Sequence, residues 1–212
     1  MQRTQNFVLD RVGVGFPGEF EDGHVIRPGN LSRLGGIDTD IDHPLDELWH
    51  GFALQDTLRR QTGRNVRVVN DATLAALGCS RGVGTELIVT LGTGCGLALR
   101  RGGERQRVRD LGRTNFDAGR TFDRALGERA RSRDDAQWRR DVVIAVNQLA
   151  LEFAASTVYL AGGNARRVSG DAFTGQPFAI EIAGNEASLR GAARLFWPES
   201  LEAGRPTSGA LG

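Results

Sequence analysis

Three features of this sequence predict an α/β fold. Short apolar runs, at 66–69 and 87–89 for example, alternate with stretches whose apolar residues recur at intervals of three and four. The first run ends in Asn70-Asp71 and leads into a helix, and the second empties into the glycine-rich turn Thr90-Leu91-Gly92-Thr93-Gly94-Cys95-Gly96. Strands of open α/β sheets carry their ligand-binding loops at such carboxyl ends. The chain's 212 residues, 40% of them hydrophobic, suffice for one domain or two small ones with a real core.

Met1 to Asp10 reads as an extended, largely polar lead-in. Arg11 to Phe16 suits a buried strand whose glycines at 13 and 15 admit a close neighbour, and Pro17-Gly18 ends it in a turn. A hairpin follows over Glu19 to Pro28, turning at Glu21-Asp22-Gly23. Gly35 to His43 is loop. One helix is expected from Pro44, with Leu45, Leu48, Trp49 and Phe52 on one face, weakening at Asp56 and closing at Thr62-Gly63 with Gly63 as a left-handed cap. Val66 to Val69 is a parallel strand before a helix over Ala72 to Leu77. Glu86 to Thr90 and Leu97 to Leu99 form a hairpin, and Arg100 to Arg109 is a charged turn. Thr121 to Ala130 is a short helix and Arg129 to Asp135 a solvated connection. Ala136 to Phe153 is a long helix with Trp138, Val142, Ile144, Ala145, Leu149 and Phe153 facing inward. Ser156 to Ala161 and Phe178 to Ile182 are strands, and Ala187 to Phe196 a helix offering Ala187, Leu189, Ala192, Ala193 and Phe196 for packing. Glu199 to Gly212 is a mobile tail.

The net charge of +1 argues against nucleic acid or a membrane surface as partner. All the cationic side chains are arginine, which removes the usual lysine candidate for phosphate contact. Cys79 and Cys95 show no metal-ligand spacing and no disulfide framework. With neither a long apolar span nor a secretory leader, a cytoplasmic protein is expected.

Two sites carry candidate chemistry. Asp71, at a strand-to-helix junction, either caps the helix or takes a proton from a hydroxyl substrate during phosphoryl transfer. In the turn, Gly92, Thr93, Gly94 and Gly96 let amides face anionic oxygens, and Thr90 and Thr93 add hydroxyls. The alternative is a plain glycine-rich hairpin; no Gly-Lys-Thr ending marks a Walker loop. Cys95 reads as a small space-filler. Taken alone, Asn30 is a turn former and Gly162-Gly163-Asn164 an ordinary loop turning into a helix, with Asn164 suited to a left-handed conformation.

The segments "VGVGFPG" (12–18), "VVNDA" (68–72), "TLGTGCG" (90–96) and "LAGGN" (160–164) resemble, in order and spacing, the ROK sugar kinases, with a glucokinase flavour that includes the polyphosphate-dependent kind. The resemblance runs from about Val12 to Phe196. It implies a ribonuclease-H-like actin/hexokinase (ASKHA) fold, with 1–82 as the remainder of a sugar-side domain rejoined by helix 187–198, and 83–186 as a nucleotide-side domain. It further implies transfer of a phosphoryl group from ATP, with Mg²⁺, to a hexose. Asp71 would be the base, with Asn30, Asn70, Asp71, Asp110 and, in place of the family's histidine, Arg113 on the sugar. Thr90, Gly92, Thr93, Gly94 and Gly96 would hold phosphates, and Gly162 and Gly163 would face adenosine.

Departures from the family pattern bear on function. Family members begin with a glycine-rich phosphate-binding hairpin that residues 1–11 do not match, so the first half reads as incomplete at the N-terminus, with a sheet edge that invites a homodimer. Asp110-Leu111-Gly112-Arg113 stands where the family has Glu-x-Gly-His. Arg113 cannot accept a hydrogen bond as a neutral histidine can, so the family's sugar specificity does not carry over there. The cysteine-rich zinc segment is absent, so no structural zinc is expected. Three readings remain open: an active hexose kinase, a non-catalytic sugar- or nucleotide-binding relative, and a kinase whose true start lies upstream.

Overall fold

Two sheets of unequal size flank a shared pair of helices in the structure, a computed structural model that describes residues 10–37, 39–108 and 110–197. The expected lead-in, apart from Asp10, and the expected tail lie outside the described residues.

In the first half, strand β1 (Arg11–Phe16) pairs in parallel with β4 (Asn65–Asn70), Val12 opposite Val66 and Phe16 opposite Asn70. Among the described residues no strand pairs with the outer edge of β1. The hairpin β2 (Glu19–Glu21) and β3 (His24–Arg27) turns at Asp22 and Gly23, both at positive φ, as a two-residue hairpin loop requires. Helices α1 (His43–Trp49) and α2 (Leu54–Thr62) replace the single helix expected from Pro44. The break is at Gly51, whose φ of +73° no right-handed helix contains. Its backbone groups are satisfied by β3: Gly51 N–H donates to Val25 O (2.8 Å) and Val25 N–H to Phe52 O (3.0 Å). The apolar stripe survives the break because Trp49 and Phe52 meet edge to face, with centroids 5.8 Å apart. Gly63 does form the left-handed cap.

In the second half, β5 (Thr85–Leu91), β6 (Cys95–Arg101), β7 (Glu104–Gln106), β8 (Thr157–Ala161) and β9 (Ala179–Gly184) form one sheet in the order β7-β6-β5-β8-β9. β5 pairs antiparallel with β6 and parallel with β8, which pairs parallel with β9. Both faces of β5 are covered, so it reads as an unbroken apolar run. Leu87, Val89 and Leu91 pack into a core with Trp138, Val142 and Leu149 of α6 (Asp135–Phe153). Ile88 faces the other way, towards α3 (Asp71–Cys79) and α7 (Glu186–Arg194), among Ala72, Ala75, Ala76 and Ala187. The loop entering β5 is held by buried Glu86, which accepts from Arg81 N (2.6 Å), Gly82 N (2.8 Å) and the Tyr159 hydroxyl (3.0 Å).

Three expectations for helices need correction. The segment expected to be a solvated connection is partly helical: α4 (Phe122–Leu126) is followed by α5 (Glu128–Arg133), held by Arg131–Glu128 pairing within one turn. Ile144 is 47% exposed, because it sits two residues past Val142 and so on the opposite side of α6. Leu189 is 74% exposed for the same reason, midway between the buried Ala187 and Gly191 of α7.

Small residues bring α3 and α7 into backbone contact. A Cβ on Gly78 would collide with the Ala187 carbonyl, and one on Gly191 with the Leu74 carbonyl. α7 also lies against β1, where a Cβ on Gly13 would come within 2.9 Å of Ala192. The last helix therefore touches both sheets, and it fixes the direction in which the N-terminus of α3 points.

Candidate functional site

The junction of β4 and α3 separates the two roles that the sequence left open for one residue. Asn70, not Asp71, is the N-cap: its Oδ1 accepts from Ala72 N (2.9 Å) and Thr73 N (3.2 Å), and its Nδ2 donates to Gly18 O (2.9 Å). Both ends of the Asn70 amide thus hold protein backbone. Asp71 is the first helical residue; its Oδ1 accepts from Ala72 N (2.7 Å), and its second oxygen has no hydrogen bond among the described residues. Burial of the carboxyl raises its pKa, the Ala72 N–H opposes this, and the charges of Asp110 and Asp123 raise it further. The residue keeps an exposed surface at the cleft, so solvent still screens that charge.

Asn30 is placed by two crossing turns. A Cβ on Gly18 would strike the Arg27 carbonyl, and one on Gly29, at φ +61°, would strike Pro17, so both positions require glycine. Asn30 then lies in a short 3₁₀ turn (Gly29–Ser32), close enough to Asp123 for its amide to favour the charged form of that carboxyl. Arg113 reaches the same turn, donating to Gly29 O at 3.2 Å, while its Nε stands 3.7 Å from Asp110 Oδ2. The guanidinium contacts protein backbone and a carboxylate, where the family resemblance would put a sugar-binding imidazole.

Asp123 is the residue that sequence reasoning missed. It sits in the first turn of α4 and accepts from Cys95 N at 2.7 Å. It is wedged between Gly94 and Gly112, where a Cβ on either would collide with its carboxyl. Burial raises its pKa, the Cys95 N–H and the Asn30 amide oppose this, Asp110 adds to it and Arg113 subtracts. An acidic residue just after an N-capping threonine reads in sequence as ordinary helix-end chemistry. Only the two facing glycines, distant in sequence, mark it as part of the site.

The glycine-rich turn joins the same place from the second half. Gly96 packs on the start of α3, where an added Cβ would lie 3.3 Å from Ala72 Cβ. Gly96 N donates to Thr90 Oγ1 (3.1 Å) and Gly92 N to Gly94 O (3.0 Å). The amides of Thr93 and Gly94 have no hydrogen-bond partner among the described residues, and Thr93 is exposed. Burial pushes the Cys95 thiol up, so it stays protonated, in keeping with a space-filler.

Gly162, at φ +89°, lies against the Leu91 carbonyl with no room for a Cβ, which puts the 162–164 loop beside the turn. Asn164 is in the right-handed region, contrary to expectation, because Gly162 supplies the positive φ. Its amide donates to Glu128 Oε2 (2.7 Å), and Glu128 N donates to Gly92 O (2.9 Å). Arg131, Asn164 and Ser132 hold the Glu128 carboxyl down to about 2. Among the described residues, no three or more His, Cys, Asp or Glu side chains form a group able to hold a metal ion, and no helix is long and apolar enough to cross a membrane.

No protein-family model matches the sequence, and no curated protein matches it. Solved structures do. An inorganic polyphosphate/ATP-glucomannokinase from Arthrobacter sp. strain KM aligns over 87% of this chain and 72% of its own, at 25% identity and a TM-score of 0.67. A ROK family glucokinase from Streptomyces griseus, in complex with glucose and AMPPNP, aligns over 90% of this chain and 82% of its own (19% identity, TM-score 0.57). A ROK hexokinase from Thermus thermophilus aligns over 86% and 76% (22% identity, TM-score 0.55). The chain has the fold of the ROK-family sugar kinases.

Proposed function

We propose that this chain, with its ROK sugar-kinase fold, transfers the terminal phosphoryl group of ATP to a hydroxyl of a hexose, in the manner of a glucokinase. The observation that carries the reading is convergence. Asp71 with one unpartnered oxygen, the acidic pair Asp110 and Asp123, Asn30, and a turn with two unpartnered amides meet at the N-terminus of α3.

Each part suits the chemistry. Carboxylates are acceptors only, so Asp71, Asp110 and Asp123 match the donor hydroxyls of a polyol. As the hydroxyl oxygen forms its bond to phosphorus and the bond to the ADP oxygen breaks, the proton passes to Asp71; a raised pKa makes it the better base. The Thr93 and Gly94 amides fit phosphate oxygens, and the Gly162-Gly163 backbone fits the nucleoside. Mg²⁺ would arrive on the nucleotide phosphates, keep most of its waters and screen their charge. Asn70 acts by aiming Asp71, since its amide holds Gly18 and the first turn of α3.

The test is glucose-dependent ADP release from Mg-ATP, with Asp71→Asn as control. Loss of a general base lowers turnover by about 10²–10⁴-fold, while nucleotide affinity should stay within about twofold. Equal release by both proteins, in folded samples, would sink the kinase reading and leave a sugar-binding relative. A polyphosphate donor, the second substrate named for the Arthrobacter enzyme, is tested in the same assay by replacing ATP with inorganic polyphosphate.

A further inference from the structure

Beside the acidic cluster lies a cavity of about 290 Å³ of a different chemical character. It shares Asn30, Arg113 and Asp123 with the candidate site, but Asn70, Asp71 and Asp110 do not line it. It therefore adjoins the site without being lined by the proposed base. Its other wall comes from Arg33, the buried Ile37, Thr39 and the exposed Asp40.

Arg33 and Arg113 give this cavity its chemistry. Arg33 donates through Nη1 to the Thr39 carbonyl and has no carboxylate partner among the described residues. Arg113 donates through Nη2 to Gly29 O and stands 3.7 Å from Asp110, which leaves Nη1 uncommitted. Of the opposing carboxylates, Asp123 already accepts from Cys95 N, and Asp40 is exposed. A guanidinium offers five N–H donors in a planar fork matched to carboxylate and phosphate. The acidic cluster, by contrast, repels anions and selects hydroxyls. The cavity has room for a charged substituent of a substrate seated next door.

We propose that the preferred acceptor is a hexose carrying an anionic substituent, carboxylate or phosphate, on the end remote from the transferred hydroxyl, held between Arg33 and Arg113. The proposal rests on the reading of the neighbouring site as one that takes a hexose. It also gives the arginine at position 113 a function that the histidine of the resembling family could not fill in its neutral form.

Calorimetric titration without any phosphoryl donor tests it, using glucose, glucose 1-phosphate, glucuronate and inorganic phosphate as probes. The two charged sugars carry their anion at opposite ends of the ring, so the test does not depend on which hydroxyl faces Asp71. At least one should bind about tenfold or more tightly than glucose, a gain of about 1.4 kcal/mol. Arg33→Gln should abolish that gain with glucose affinity unchanged, and Arg33→Lys should keep part of it. Thermal melts of both variants exclude global unfolding, and Arg33→Lys, which can still donate to the Thr39 carbonyl, controls for loss of that contact. The proposal is overturned if neither charged sugar exceeds glucose, if the gain survives in Arg33→Gln, if no sugar binds, or if inorganic phosphate binds as tightly as the charged sugars. The last result would mean that the arginines hold a free anion. Glucose binding without a charged-sugar gain removes this proposal and leaves the kinase reading intact. An Arg33-dependent gain without turnover above Asp71→Asn does the reverse.

Discussion

The five-stranded sheet and the two-stranded sheet are built from similar residues and held in opposite ways. β5 has a strand on each edge and helices on both faces, with Leu87, Ile88 and Val89 fully buried. β1 has a strand on one edge only among the described residues, and Val12 and Val14 are only partly buried. Parallel strands draw stability from covered faces and paired edges. The difference teaches where this chain's stability resides: in the second half, with the first half held in place by α7 and by the turns that converge on Asn30 and Asp71.

Truncating the larger core should have the largest effect. Trp138 is 1% exposed, packs from the first turn of α6 into the larger core and donates to Leu126 O at 2.7 Å. Trp138→Ala should destabilise the chain by about 4 kcal/mol, as large-to-small core changes do, measured by urea denaturation. Phe16→Ala, in the smaller core of Phe20, Val25, Val66 and Val68, should cost about 3 kcal/mol, the low end for such truncations. Equal losses at the two sites would contradict the asymmetry.

The next effect lies where the halves meet. Gly191→Val sets a branched side chain against the Leu74 carbonyl and must push α7 from α3 and β1, at about 2–3 kcal/mol. Leu189→Ala, on the exposed side of the same helix, should stay within about 0.5 kcal/mol. If the glycine substitution also weakens glucose binding while Leu189→Ala does not, α7 sets the aim of Asp71 as well as joining the sheets.

The same asymmetry governed what could be read in the sequence. The strands at 11–16, 66–69, 86–90 and 156–161 were legible because apolar runs bounded by glycine or polar turns have few alternatives. The hairpin at Asp22-Gly23 and the cap at Gly63 were legible because only special backbone conformations fit there. The break at Gly51 was hidden because Trp49 and Phe52 keep helical spacing while packing across it. In the candidate site, Asp71 and the 90–96 turn were visible from local motifs. The choice of Asn70 over Asp71 as the cap was not, since neighbouring residues both able to cap leave it undecided locally. The placement of Asp123 and the Arg33 cavity were not either, since each depends on partners far away in the chain: Cys95 and Gly112 for Asp123, and Arg113 for Arg33.

The smallest expected effect distinguishes the two kinds of carboxylate that this architecture creates. Glu128 lies wholly within the second half and is bonded by Arg131, Asn164 and Ser132, so its pKa falls from 4.5 to about 2. Such a depressed acid contributes stability above pH 4.5 that is lost as pH falls towards 2. Asp71 and Asp123 sit where the first half meets the second, and burial raises both. Their contribution has the opposite sign: it is present at low pH, where they are protonated, and is lost as pH rises through their folded-state values. Melting curves should therefore show wild type above Glu128→Gln near pH 6, with the gap closing between pH 4.5 and 2. Asp123→Asn should behave inversely, matching wild type in acid and gaining on it as pH rises. Glu128 is exposed and its charge is screened, so the gap should also shrink in high salt. A gap that holds constant from pH 6 to 2 would mean that Glu128 acts through packing alone and that the two halves do not differ in how they treat a carboxylate.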